Sequence, residues 1–346
     1  MKQIKRVVMA AALALTATLA FPLFSAGAQA ADTAKCGTYY SYVQQGGLYV
    51  QSSSGSSGKQ LVAPKTGHKV SSCVADSTYI YYTAASTKGT SSSLYRVKPD
   101  GTGKKRIAKI SAKNVTLLDA GNDTVYYSIT TKSGKVNTRR YGISKGRSYS
   151  VKTDFVGDQY CNGYLVGTPK TTAGKAASLY TVRGLTNDYV RVSRNCVAYR
   201  ILNNKIYFVE SSAANTVRAV KYCDLNGGNI RTLATNIKNV NLKKVVPDKT
   251  SLYYISSKTA GTVYGYNFST KKKTKLLSGL SSKATVTPLG STVVVQNPKK
   301  KFYTIPESAG KAVQQGSLGS GTVTNIIGKT YFKKTGSRYS LGTLTE

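Results

Sequence analysis

A tyrosine-rich, β-branched strand returns seven times along the chain, and each repeat leaves room for three more short strands. No segment beyond the first thirty residues carries an apolar pattern at helical spacing. These observations predict an all-β protein, a β-propeller built of four-stranded blades.

The recurring strand reads STYIYYTA from Ser77, DTVYYSIT from Asp123, NGYLVGTP from Asn162, NKIYFVES from Asn204 and TSLYYISS from Thr250. Weaker copies are STVVVQNP from Ser291 and KTYFKKTG from Lys329. Their central residues, Tyr81, Tyr126, Leu165, Tyr207, Tyr253, Val293 and Tyr331, stand 45, 39, 42, 46, 40 and 38 residues apart. A further strand follows each copy, as in SLYRVKPDG from Ser93, and then a short one, such as KKRIAKI from Lys104. The strand that leads into the next repeat is seen in KNVTLLDAG from Lys113 and CVAYRILNN from Cys196. A blade has two apolar faces and buries neither alone, whereas a ring of blades buries both faces of each. The tyrosines at equivalent strand positions are therefore expected to pack between blades with their hydroxyls at the edge.

At the ends, GTYYSYVQQ from Gly37 and GLYVQSSSGSSG from Gly47 form a partial copy without an inner strand, and the copy ending in RYSLGTLT lacks its outer one. Joining the two in one blade predicts seven blades; keeping them apart gives eight. The first thirty residues have the form of a signal peptide. Lys2, Lys5 and Arg6 precede an apolar stretch from Val7 to Phe24, and Ala28-Gln29-Ala30 offers a small-x-small cleavage site. The expected organisation is a leader over residues 1–30 and a single propeller domain over 31–346, exported and monomeric.

The segment LYRVKPDGTGKKRIA from Leu94 to Ala108, and the pairing of TNIKNVNLKK with SLYYISS, resemble the YWTD propeller repeat of low-density-lipoprotein-receptor-type proteins and similar secreted bacterial domains. That family's Trp is absent throughout, and Ser, Thr or Glu210 replaces its Asp. The resemblance implies a closed propeller that binds other macromolecules and catalyses nothing, and it carries over no site residue.

Composition removes several chemistries. With one histidine, His68, among 346 residues, a multi-histidine metal site is excluded and any Ser-His-Asp or Cys-His arrangement depends on that one side chain. The 13 carboxylate residues make a calcium cage or a glycosidase acid pair unexpected. No cofactor is called for. The Asp119-Ala-Gly-Asn-Asp123 run is read as a strand-to-strand turn rather than a metal loop. Export permits disulfides among Cys36, Cys73, Cys161, Cys196 and Cys223, with Cys36–Cys73 the pair to test first and free buried thiols the equal alternative.

Charge is the main functional signal. The chain holds 50 Lys plus Arg and carries a net +37. Alternating strand directions place the second-to-third-strand loops and the blade-to-blade connections on one face. That face receives Lys132, Lys135, Lys170, Lys175, Lys258, Lys299, Lys300, Lys301, Lys333 and Lys334, the candidate ligand-binding residues. Connections add Lys65, Lys69, Lys109, Lys113, Lys152, Arg194, Lys238 and Lys283, against Asp154, Asp158 and Glu210 alone. Such a face predicts binding of an anionic extracellular or cell-envelope polymer: teichoic acid, acidic polysaccharide or an anionic membrane surface. Nucleic acid fits the charge, but no recognised module for it is present. The alternatives are a protein-interaction scaffold and a polysaccharide lyase using Tyr, Lys or Arg as base.

Overall fold

A computed structural model describes residues 33–53, 58–87, 90–131, 133, 136–153, 156–169, 175–183, 189–306 and 311–345. The leader expected over residues 1–30 lies outside them. Among the described residues, antiparallel strands form seven hydrogen-bonded sheets and no helix occurs. Five sheets have four strands and span residues 33–62, 68–110, 115–153, 240–277 and 285–317. One has seven, because the 14-residue strand Tyr189–Leu202 serves twice. Its residues 189–196 pair with Ala177–Arg183, and its residues 196–202 pair with Lys205–Glu210. Divided at Cys196, this sheet supplies two more blades, so seven blades have the predicted four strands.

The route to closure differs from the expectation. The terminal units do not share a blade. The N-terminal unit has its own inner strand, Thr33–Cys36, paired with Tyr39–Gln44. The C-terminal unit, residues 322–343, stays a separate three-stranded sheet. The ring therefore has an eighth, smaller member. Numbering these units 1 to 8 along the chain, eight apolar clusters fall one at each junction. Val74, Leu94 and Tyr127 lie between blades 2 and 3, and Val209, Val220 and Leu252 between blades 5 and 6. Tyr40, Tyr42 and Phe332 lie between blades 8 and 1. The closing junction also carries hydrogen bonds from Asn325 Nδ2 to Thr33 Oγ1 at 2.9 Å and from Thr330 Oγ1 to Tyr40 Oη at 3.0 Å.

Burial within a blade grades outward. The second strand of blade 6, Ser251–Ser256, is buried at every position because both its faces meet neighbouring blades. The outer strand, Lys273–Leu277, has no buried residue, which is why its sequence is lysine-rich. Each large side chain moved from water into a junction contributes roughly 1.5–3 kcal/mol. Tyr81, Tyr126 and Tyr253 are buried as expected, and the Tyr81 hydroxyl reaches an edge partner, donating to Asp76 Oδ2 at 2.8 Å. Tyr207, at the equivalent position, is half-buried and packs its ring 5.7 Å from that of Tyr222.

Tight hairpins set the registers. Asn122 and Asp123 both take positive φ, 49° and 60°, as do Asn203 and Asn204 at 47° and 58°. This is the two-residue turn whose twist matches antiparallel strands; within the Asp119–Asp123 run, Asp119 to Gly121 end the strand Val115–Gly121, and Asn122 and Asp123 make the expected turn. All five cysteines are free thiols, Cys36 and Cys73 within one apolar cluster. Burial pushes the Cys36 thiol up to about 11 and that of Cys223 to about 12, which keeps them protonated and unreactive.

Candidate functional site

Backbone hydrogen bonds tie the two kinds of loop together and define the lysine-rich face. Thr87 N donates to Gly67 O at 2.8 Å, Ser211 N to Asn195 O at 3.0 Å, Ser257 N to Asn239 O at 3.0 Å and Leu318 N to Lys300 O at 2.9 Å. Each bond joins a second-to-third-strand loop to a blade-to-blade connection. The face assigned from strand order is thus a real surface.

Lys175, Lys258, Lys299, Lys300 and Lys301 are exposed on it. Lys299 occupies a turn with φ of 62°, Lys300 N donates to Asn297 O at 3.0 Å, and Lys301 Nζ donates to Gln314 Oε1 at 2.9 Å. Lys299 and Lys300 sit on a hydrogen-bonded turn, and Lys301 opens the strand Lys301–Ile305. Lys333 and Lys334 belong to the strand Thr330–Thr335 rather than to a loop, and both are half-buried. Lys333 Nζ donates to Ser317 O at 3.4 Å, and Lys334 Nζ lies 5.1 Å from the Tyr339 ring centroid. Their ammonium groups are partly committed within the fold. Lys132, Lys135 and Lys170 lie outside the described residues, as do the side chains of Lys152, Asp154 and Asp158.

Among the connections, Lys65, Lys69, Lys109, Lys113, Lys238 and Lys283 are exposed. Among the described residues Glu210 is the sole acid of this face. It is spoken for: Lys221 Nζ approaches Glu210 Oε2 at 2.8 Å, and Ser193 Oγ donates to Oε1 at 2.8 Å.

The acids of the opposite face are held by turn chemistry. Asp76 Oδ1 accepts from Thr78 N and Tyr79 N at 2.8 and 2.7 Å, and Asp100 Oδ1 from Thr102 N at 2.7 Å. Asp224 is paired with Lys205, and hydrogen bonds from Lys205 and Asn229 hold its carboxyl below the usual range. Asp248 is buried with Arg200, whose Nη1 stands 3.3 Å from Asp248 Oδ2. The segregation of charge therefore has a local origin: one set of turns uses Asp to bind its own backbone. The facing set uses Gly, Asn and Ser, and among the described residues offers its lysines no carboxylate beyond Glu210.

A feature not anticipated from sequence lies on the same side, where Arg191, Arg194 and Arg218 line one open depression. Arg194 was legible as a basic connection residue. Arg218 stands on another strand, 24 positions further along, and no spacing rule links the two.

No family model matches the chain, so no family match supports the YWTD repeat. No curated protein matches it either. Solved structures do. A prolyl endopeptidase superposes with a TM-score of 0.57 at 12% identity over 82% of this chain, which spans about half (49%) of that enzyme's length. The computationally designed Ika8 protein gives 0.56 at 14% identity, covering 93% of this chain and 98% of that one. Sqt1 of Saccharomyces cerevisiae gives 0.53 at 10% identity with the same coverages. At these identities the agreement establishes the β-propeller fold.

Proposed function

We propose that the chain is an exported, non-enzymatic β-propeller that adheres through its lysine-rich face to an anionic polymer of the cell envelope or extracellular space. The carrying observation is the separation of charge. Lys175, Lys258 and Lys299 to Lys301 share a face with one described acid, itself ion-paired, while the six described aspartates belong to the other, where Asp224 and Asp248 are ion-paired in turn. A surface of one sign concentrates polyanions over it, and lysine suits point-charge attraction to a repeating, variable polymer. The test is retention on immobilised teichoic acid and heparin across a salt series. Retention that falls steeply with salt supports the reading, and absence of retention at low salt removes it. The exported form should begin near Ala31 by mass spectrometry; an intact Met1 in membrane fractions would overturn the localisation.

A second reading, a protein-binding scaffold, has its own support. Tyr189, Val190 and Ile230 are 50%, 46% and 48% exposed, and Val190 packs on Gly227 close to Ile230 in sequence. Such an apolar patch suits a protein partner. Binding through it would be insensitive to salt.

A further inference from the structure

The lysines of the basic face are spread over many loops, but its arginines are not. Arg191 and Arg194, from the strand shared by blades 4 and 5, and Arg218, from the third strand of blade 5, line one depression of about 420 Å³ with Lys221, Glu210 and Ser193. Four cations and one carboxylate leave this hollow with a net +3. The carboxylate is already used, since Glu210 holds Lys221 and accepts from Ser193. Arg191, Arg194 and Arg218 are exposed, and their guanidinium groups make no hydrogen bond or ion pair among the described residues.

The backbone gives the reason for the convergence. At this junction the outer strand of one blade runs on into the inner strand of the next without a loop, with register shifts between Arg191 and Ala198. Arg191 and Arg194 are thereby carried on hydrogen-bonded strand, where an equivalent connection elsewhere would present a loop. Guanidinium groups are planar five-donor forks, less strongly hydrated than ammonium, and they match the paired oxygens of phosphate or sulfate.

We infer that this hollow is a discrete binding site for one tetrahedral oxyanion group, a phosphate or sulfate, held by Arg191, Arg194 and Arg218. The Glu210–Lys221 pair is part of its lining. Lys221 is kept in place by Glu210 and adds a fourth positive charge, while Ser193, donating to Glu210, fixes the carboxylate. The inference rests on the reading of the basic face only in taking the group to be carried on a polymer; a free ion has the same recognising chemistry.

Inorganic phosphate is titrated into the mature chain at constant ionic strength, followed by calorimetry and phosphorus NMR, and the titration is repeated with a polyphosphate chain. The unaltered protein should bind one phosphate saturably. R191Q/R194Q should weaken this about tenfold or more, because charge-assisted hydrogen bonds disappear. K299Q/K300Q/K301Q should leave it within about twofold, since those lysines stand at blade 7 and none of them lines the hollow. Circular dichroism checks folding. R194K keeps the charge without the fork and should still weaken binding several-fold, so the site remains testable if the double variant unfolds. Absence of saturable phosphate binding, or binding undiminished in R191Q/R194Q or R194K, overturns the inference. Polyphosphate binding without phosphate binding sinks the hollow and leaves the polymer reading standing. Phosphate binding without any gain from the chain does the reverse.

Discussion

Asn325 Nδ2 donates to Thr33 Oγ1 at 2.9 Å, joining the inner strands of the last and first blades across 292 residues of sequence. Both side chains are fully buried, at 0% and 1% exposure. The ring is closed by side chains from two separate sheets and by the aromatic group of Tyr40, Tyr42 and Phe332, instead of by a blade woven from both ends.

Deleting residues 338–346 tests that closure. It removes the outermost strand, Arg338–Thr343, and the Thr345 N to Gln315 Oε1 bond of 2.7 Å that ties the tail to blade 7. The second strand of blade 8 becomes an edge, and Tyr42 is deprived of Tyr339, whose ring centroid lies 5.8 Å away. A loss of several kcal/mol in urea unfolding is expected. Asn325→Ala should cost less, about 1–3 kcal/mol, by removing the buried bond. An unchanged melting curve for the deletion would mean that the seam carries no stability.

Arg200 bridges three blades. Its Nη1 pairs with Asp248 Oδ2 at 3.3 Å and its Nη2 donates to Gly290 O at 3.2 Å, with the side chain 1% exposed. Gly290 has φ of 58°, and a Cβ there would stand 2.3 Å from Ile326 O, so the position admits no side chain without backbone movement. Arg200→Ala strands a buried carboxylate and is expected to destabilise by about 3–5 kcal/mol. Arg200→Met with Asp248→Leu should recover much of the loss. Equal destabilisation by the single and double variants, measured by denaturant titration, would show that packing rather than charge is at stake.

On the basic face, Lys299, Lys300 and Lys301 changed together to Gln should weaken polyanion retention. Every lysine–anion pairing removed should lower the salt slope by roughly one unit or less, by analogy with counterion release from nucleic acids. The matched control is Lys104, Lys105 and Lys272 to Gln, three exposed charges of the opposite face. Lys273 is unsuitable there because its Nζ sits 3.8 Å from the Tyr264 ring centroid. Equal weakening in the two triple variants would make net charge, not the face, responsible.

Asp119 gives stability a pH dependence. Burial pushes its carboxyl from 3.8 up to about 7, against the opposing pull of the Ala120 N–H donated to it at 2.8 Å. Below about pH 4 the group is protonated in both states and contributes nothing. Between about 4 and 7 the unfolded chain ionises while the folded chain does not, so this group lowers stability as pH rises. Above about 7 the full penalty is present. Asp119→Asn, which keeps the oxygen acceptor, should therefore stabilise by about 1–2 kcal/mol at pH 8 and be nearly neutral at pH 4, allowing for partial solvent access. A gain of equal size at both pH values would assign the effect to packing.

The repeat period, the strand order and the face on which each loop falls are all legible in the amino-acid sequence. Strand alternation is a local property, and a regular succession of antiparallel strands leaves no freedom about which turns share a side. Lys299 to Lys301 and the aspartate turns at Asp76 and Asp100 could be placed for that reason. How the ring closes was settled by packing in three dimensions. Thr33–Cys36 is four residues long, too short to show a pattern, and its partner Asn325 is distant in sequence. The same holds for the shared strand Tyr189–Leu202, whose switch of partner at Cys196 depends on the two blades between which it passes. Arg191, Arg194 and Arg218 line one hollow because two separate strands bring them to it, and the commitment of Lys333 and Lys334 follows from neighbours on other strands. Periodicity is encoded residue by residue, whereas convergence depends on where separate strands pass one another in space.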